Sequence, residues 1–322
     1  MIEPGHRMLI GPERSPSLQP NKGVETVKDA TLRFEALGLL SLIWGGSFFF
    51  IKILLEAMGP LSVAFFRTAF GLAAVAALVA VLRTPIRWRA ISWPTVAVVA
   101  LLNTAVPWAL IAYGETRLTS NLTSVLNAST PIWTSLVGLL AFRQTLSGLQ
   151  WLGIVVGFAG LVAVVNPEPG QAAGTGTWTA CAAALLATWG YALSSQLAKH
   201  RLSDLSLYET TMATLVVGTL GSLVPALAFE AATWANLARA DVLLTLVGLG
   251  CLGSGVAYLL FYYLIRVGGA EFATLVTYLV PVTAMLWGTL FLGEPLTPNL
   301  FLGLILILTG VFLAGRKPGT IE

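Results

Sequence analysis

Ten apolar runs of roughly 20 residues follow one another along this chain. As a helix rising 1.5 Å per residue, each run is long enough to cross the hydrocarbon of a bilayer. No other feature constrains the fold as tightly. Backbone exposed to lipid must satisfy its N–H and C=O groups within the protein, so each run is a helix or part of a closed barrel. Barrel strands alternate apolar and polar over about ten residues, whereas these runs are continuously apolar. The runs fall at roughly 34–55, 61–82, 93–113, 121–141, 149–166, 178–198, 206–229, 241–265, 270–292 and 299–315. Turn and charge signals separate them, among them Gly59-Pro60, Arg83-Thr84-Pro85, Lys199-His200-Arg201 and Gly293-Glu294-Pro295. The reading is an all-α integral membrane protein with ten transmembrane helices.

Composition closes off the soluble alternative. Of 322 residues, 56% are hydrophobic and 10% charged, against about 25% charged in an average soluble domain. Too few polar side chains are present to cover a globule of this size. The two cysteines, Cys181 and Cys251, both lie in apolar runs and read as small buried hydrophobes. With only His6 and His200 as histidines, no metal site is expected. No phosphate-cradling motif and no basic patch suggest a nucleotide, a nucleic acid or any cofactor.

The basic residues orient the chain. With the N-terminus in the cytoplasm, the inner side receives Arg7, Arg14, Lys22, Lys28, Arg33, Arg83, Arg87, Arg89, Arg143, Lys199, Arg201, Arg266, Arg316 and Lys317. The outer half receives only Lys52, Arg67, Arg117 and Arg239. That is a strong positive-inside bias, and an even number of spans returns the C-terminus to the cytoplasm. Residues 1–33 read as a disordered cytoplasmic tail and 317–322 as a short C-terminal one.

Between the tails the chain repeats itself. A shift of 150 positions lays Tyr113 on Tyr263, Pro131 on Pro281, Gly138 on Gly288, Gly153 on Gly303 and Gly160 on Gly310. Trp44-Gly45 echoes Trp189-Gly190 at a slightly shorter offset. The proline and glycine matches weigh most, because each marks a backbone event. Two units follow, 34–166 and 178–316, each with five spans. Five is odd, so the second unit enters the membrane upside down. Inverted repeats of this kind recur in secondary transporters, where two copies facing opposite ways open a central site to either side.

Several motifs now resemble a known family. Trp44-Gly45-Gly46-Ser47 followed by Lys52, then Pro60 with Arg67, and the strings Pro131…Arg143-Gln144…Gly153…Gly160 and Pro281…Gly293-Glu294…Gly303…Gly310 resemble EamA-type transporters of the drug/metabolite transporter superfamily. The resemblance spans nearly everything from 34 to 316. It implies two five-helix repeats of opposite topology, a central cavity, and export of amino acids or other metabolites. One departure is Gln144, where the family often has Glu; the second copy keeps Glu294.

Polar and aromatic residues inside spans should face the bundle or a wet cavity. At helical spacing they form stripes: Ser41, Trp44, Phe48 and Lys52; Asn103 and Pro107; Ser124, Asn127, Pro131 and Ser135; Thr188, Tyr191 and Ser195; Ser254, Tyr258 and Tyr262; Thr274, Tyr278 and Pro281. Trp108, Trp133 and Trp189 also lie deep in their spans. The expected substrate-lining set is Trp44, Phe48, Asn103, Trp108, Asn127, Trp133, Trp189, Tyr191, Ser195, Ser254, Tyr258, Tyr262 and Tyr278. Against it stands a plainer reading: membrane Ser and Thr commonly bond their own preceding turn, and tryptophans also serve packing. Pro131 and Pro281 are expected hinges, since each frees a carbonyl near mid-bilayer. Lys52 and Arg67 are gate or carboxylate-binding candidates, with snorkelling to the outer interface as the alternative. The glycine-rich fifth and tenth spans suit close packing outside the cavity.

No Asp or Glu falls near the middle of a span, which favours uncoupled facilitated diffusion of a neutral or zwitterionic solute over proton antiport. A membrane enzyme would need a nucleophile–base pair or metal ligands, and neither is evident. The reading is a multi-pass secondary transporter of a bacterial inner membrane, whose partners are a small-molecule substrate and the lipid bilayer. The alternatives are a proton-coupled antiporter or a non-transporting membrane protein such as a scramblase.

Overall fold

The computed structural model describes residues 27–165 and 175–316, without the side chains at 27–30, 262, 266 and 268–271. The tail up to residue 26, the 166–174 connection and 317–322 lie outside the described residues. Every regular element described is helical: α1 Val27–Leu54, α2 Pro60–Val81, α3 Trp93–Glu115, α4 Ser120–Phe142, α5 Gly148–Val165, α6 Thr175–Arg201, α7 Leu207–Glu230, α8 (240–274), α9 Val276–Leu292 and α10 Pro298–Gly315. α1 starts inside the segment read as a tail, and Arg33 there donates to the Val267 carbonyl at 3.3 Å.

Among the described residues, nine of these helices are long and apolar enough to cross a membrane. The exception is α6. Its 27 residues would span about 40 Å, but Thr188, Ser194 and Gln196 and the basic end Lys199-His200-Arg201 dilute its apolar character. Those polar groups are not turned to lipid: Thr188, Ser194 and Gln196 are buried against neighbouring helices.

Sequence chemistry accounts for the interruptions. α4 is broken at Ala128-Ser129, between Ser120–Asn127 and Thr130–Phe142, one turn around Pro131. α9 runs unbroken through Pro281, which is buried there. α3 loosens into a π-helical turn at Leu101–Ala105, just ahead of Pro107, and α8 does so at Val247–Val256, where four glycines fall. These two wide turns sit 150 positions apart, as do two left-handed caps. Arg143 (φ 54°) and Gly293 (φ 65°) end α4 and α9, and the following N–H groups of Gln144 and Glu294 return to Gly138 and Gly288 at 3.0 and 3.1 Å. Glycine takes that backbone freely; an arginine there costs about 1–2 kcal/mol.

Two helix pairs form the frame. α5 packs on α10 through glycines: a Cβ at Gly153 would strike the backbone of Gly310 and Ala314, and one at Gly160 would strike Gly303 and Ile307. Rising numbers on one helix meet falling numbers on the other, so the pair is antiparallel. α2 and α7 are antiparallel too, with Ser62 beside Glu230 and the Thr68 and Ser222 hydroxyls 3.2 Å apart. One apolar core lies among α4, α5, α6 and α10, around Leu126, Ile132 and Ile307; another lies among α1, α2, α3 and α8, around Ile51, Leu54 and Leu249.

Candidate functional site

The site is built around Arg67. It stands seven residues into α2 from Pro60, about 10 Å along the helix axis. A guanidinium there cannot be left to lipid. It stacks on the Trp108 ring of α3, its central carbon 4.1 Å from the ring centroid. Tyr191 of α6, Tyr258 of α8 and Glu115 at the end of α3 are close enough to feel its charge. The Trp108 ring N–H approaches the Tyr191 hydroxyl. Arg67, Trp108, Tyr191 and Tyr258 are each partly accessible. Among the described residues no carboxylate sits within ion-pair distance of Arg67, and its Nε is buried without a hydrogen-bond acceptor. One face of the guanidinium is taken by the indole. Its edges keep donors for a planar anion, the geometry in which arginine grips a carboxylate.

The two π-helical turns each receive a side chain from the other half. Trp44 donates from its ring Nε1 to the Gly253 carbonyl of α8 at 3.2 Å, and Ser194 of α6 donates to Asn103 Oδ1 of α3 at 3.2 Å. Asn103 and Gly253 are 150 positions apart, so each half offers its wide turn to a helix of the other. Ser254 and Thr104, next along, are buried against Gly71 of α2 and Gly218 of α7.

Other residues of the expected lining are placed elsewhere. Phe48 is packed in the core with Ile51 and Leu54. Trp133 lies edge-on to Phe158 of α5, centroids 5.2 Å apart, with its ring nitrogen unpartnered. Trp189 is 42% exposed and shares an outward stripe with Leu186. Tyr278 packs towards α10, its hydroxyl near Gly315. Asn127 keeps a buried, unpartnered Oδ1 at the break in α4. Ser195 is exposed and bonds the Ala192 carbonyl of its own helix; Ser41, Ser124, Ser135 and Thr188 likewise bond their own turns. The Tyr262 side chain lies outside the described residues.

Charges at one set of helix ends form a group that sequence spacing alone did not assemble. Lys52 does not reach away to the interface. Its Nζ donates to the carbonyls of Glu115 and Leu118 at 2.6 and 2.7 Å, closing the C-terminus of α3. The Glu294 carboxylate accepts the Ser120 N–H, the Ser120 hydroxyl and the Asn121 N–H at 2.7–2.9 Å, at the N-terminus of α4. Glu230 accepts the Leu61 and Ser62 N–H groups at the N-terminus of α2. Each is a charge placed on the favourable end of a helix dipole. Glu115 is 1% exposed and both its carboxyl oxygens lack a hydrogen-bond partner. Adjacency to Gly293 was the available signal for Glu294; Glu230, 170 positions from Pro60, offered none, and only folding brought the helix ends to both.

A lateral cleft of about 530 Å³ opens between α2, α3 and α7, lined by Leu101, Val106, Tyr113, Gly221 and Pro225. It is apolar, and its rim residues Leu101, Val106 and Tyr113 face outward.

Comparison with known proteins gives a consistent picture. Residues 36–166 and again 178–316 match the model of the EamA-like transporter family. The chain is 24% identical over 286 residues to an uncharacterized transporter of Archaeoglobus fulgidus, covering 88% of this chain and 99% of that one. It is 25% identical to the uncharacterized transporter YoaV of Bacillus subtilis, covering 86% and 95%. It is 26% identical to a probable terminal-alkyne amino-acid exporter of Streptantibioticus cattleyicolor, covering 88% and 93%. A crystal structure with 17% identity aligns over 88% of this chain and 96% of its own, with a TM-score of 0.58, a likeness of fold.

Proposed function

We infer that this chain, which belongs to the EamA-like transporter family and is a multi-pass membrane transporter, exports a small carboxylate-bearing metabolite, foremost a neutral or aromatic amino acid. It does so in a bacterial inner membrane, by alternating access, down the solute's own gradient. Ten spans arranged as two inverted five-helix repeats, 34–166 and 178–316, with both termini inside, supply the mechanism. The two successive family matches, the antiparallel pairing of α2 with α7 and of α5 with α10, and the π-helical turns repeated at a 150-residue offset support that arrangement.

The single observation that carries the substrate reading is the Arg67 guanidinium on Trp108, with free donors and with Tyr191 and Tyr258 beside it. A substrate carboxylate takes the free edge of the guanidinium. An apolar or aromatic side chain takes the ring faces. The named relative that is a probable amino-acid exporter supports the same class. The test is counterflow of labelled phenylalanine, tyrosine, leucine and methionine in proteoliposomes holding the full chain. Saturable exchange at zero proton gradient supports the reading; no exchange of any of the four overturns it.

One observation favours a second reading, proton-coupled antiport. Glu115 is buried with both carboxyl oxygens unpartnered, a place where a proton could bind and leave. An imposed pH gradient that drives uptake in the native chain, and no longer does so in Glu115→Gln, would select that reading.

A further inference from the structure

The pseudo-symmetry of the fold makes the unequal fastening of its two ends informative. α2 and α7 are joined at both ends: Glu230 holds the N-terminus of α2, and at the other end Arg87 pairs with Glu209 at 2.8 Å. α5 and α10 share a glycine seam, and Gln150 adds a bond to the Ala314 carbonyl at 3.1 Å. These two pairs join helices to their own counterparts in the other half. Two further fastenings differ between the ends.

Lys52 ties the end of α1 to the end of α3. Counted from the helix ends, its counterpart is Lys199: each stands two residues before the last residue of its helix, Leu54 and Arg201, and eight before the residue that opens the next, Pro60 and Leu207. Lys199 is exposed and makes none of the described hydrogen bonds. Glu294 ties the end of α9 to the start of α4. Its counterpart, 150 positions earlier, is Gln144, which instead donates to Gln196 of α6 at 3.3 Å. At one end, then, two charged groups bridge helix termini; at the other, Lys199 makes none of the described hydrogen bonds and Gln144 is bonded to α6 instead.

We propose that Lys199 and Gln144 are the latch residues of the opposite, inner gate, and that transport exchanges the Lys52 and Glu294 latches for them. The proposal rests on the alternating-access reading above. In the alternative state Lys199 closes onto the carbonyl end of α8 as Lys52 closes onto α3, and Gln144 moves from α6 to the start of α9 as Glu294 sits on α4. The charged carboxylate holds the outer latch more strongly than the amide holds the inner one, so the empty carrier rests with its outer end shut and loads from the cytoplasmic side. This gives an exporter its resting orientation without an energy source.

The test measures distances, so it does not depend on knowing the substrate. The full chain, with Cys181 and Cys251 replaced by Ala, is spin-labelled in lipid nanodiscs. One pair of labels is placed at the exposed outer positions Thr116 and Leu296, another at the exposed inner positions Thr145 and Thr277. Lys52→Gln or Glu294→Gln should raise the ratio of outer-separated to outer-closed molecules about tenfold and shorten the inner distance. Adding Lys199→Gln to Glu294→Gln should reverse that shift at least about threefold. Lys199→Gln alone, which breaks no contact of the resting state, should leave the resting distances and Tm unchanged, yet slow turnover about tenfold; Lys199→Arg should restore it. Outer distances unmoved by Glu294→Gln in folded protein, or no reversal by Lys199→Gln, would overturn the proposal. If Lys52→Gln does not fold, the Glu294 and Lys199 variants decide alone. Exchange of distances in a chain that moves none of the tested amino acids upholds the latches and overturns only the substrate reading.

Discussion

Arg67 and Trp108 stand face to face, guanidinium carbon over indole ring at 4.1 Å, on helices α2 and α3. The stack holds a cation inside the bundle without spending a carboxylate on it, so the charge stays available to a ligand. Replacing Arg67 by Lys keeps the charge but loses the planar fork and the stack. Losing charge-assisted hydrogen bonds worth about 1.5–3 kcal/mol should cut kcat/KM for amino-acid counterflow roughly tenfold or more. Arg67→Gln should fall further. Unchanged kinetics in both would remove Arg67 from the site.

Trp108→Leu tests the other half of the stack. A desolvated cation–π contact is worth about 0.5–2 kcal/mol, so KM should rise about 2- to 30-fold. Trp108→Phe, which keeps a ring face, should fall between the native chain and the leucine variant. Titration of intrinsic fluorescence with substrate reports the same order if binding is the step affected.

The glycine seam between α5 and α10 predicts a purely structural phenotype. Gly160→Leu and Gly310→Leu would drive side chains into backbone on the facing helix. Overpacking of this kind costs about 1–3 kcal/mol. Both variants should lower Tm in detergent, while Gly148→Ala, at a position with open space around its Cα, should not.

At the opposite end from Lys52, Arg87 donates through Nε and Nη2 to the carboxylate of Glu209, which is 1% exposed, and the Arg87 N–H adds a third bond. The hydrogen bonds to Glu209 hold the Arg87 guanidinium above its ordinary range. Arg87→Ala leaves a buried carboxylate with fewer donors and should cost about 1–3 kcal/mol, read as a lower Tm. The double variant Arg87→Ala with Glu209→Gln should recover part of that loss, because the uncompensated charge is gone.

What the chain's sequence determined was set by long stretches of local chemistry. Twenty-residue apolar runs dictate membrane helices wherever they fall, Gly and Pro mark ends and breaks, and a 150-residue echo of both announces a duplicated plan. The break ahead of Pro131 and the glycine seam of α5 with α10 were readable for that reason. α6 was legible as a helix but not as an interior one: its polar residues lower its mean hydropathy, and only its neighbours make them buried.

Tertiary structure decided which polar groups meet. Helical spacing places residues on a stripe but cannot say what faces the stripe, so Trp108, Tyr191 and Tyr258 converge on Arg67 while Trp189, read as their equal, looks outward. The π-helical turns were invisible because widening a helix by one residue per turn reflects packing against Trp44 and Ser194 as much as local propensity. The helix-end latches of Lys52, Glu230 and Glu294 were hidden for the same reason. A helix terminus becomes a binding partner only when another segment, here 60 to about 170 residues away in sequence, is folded against it.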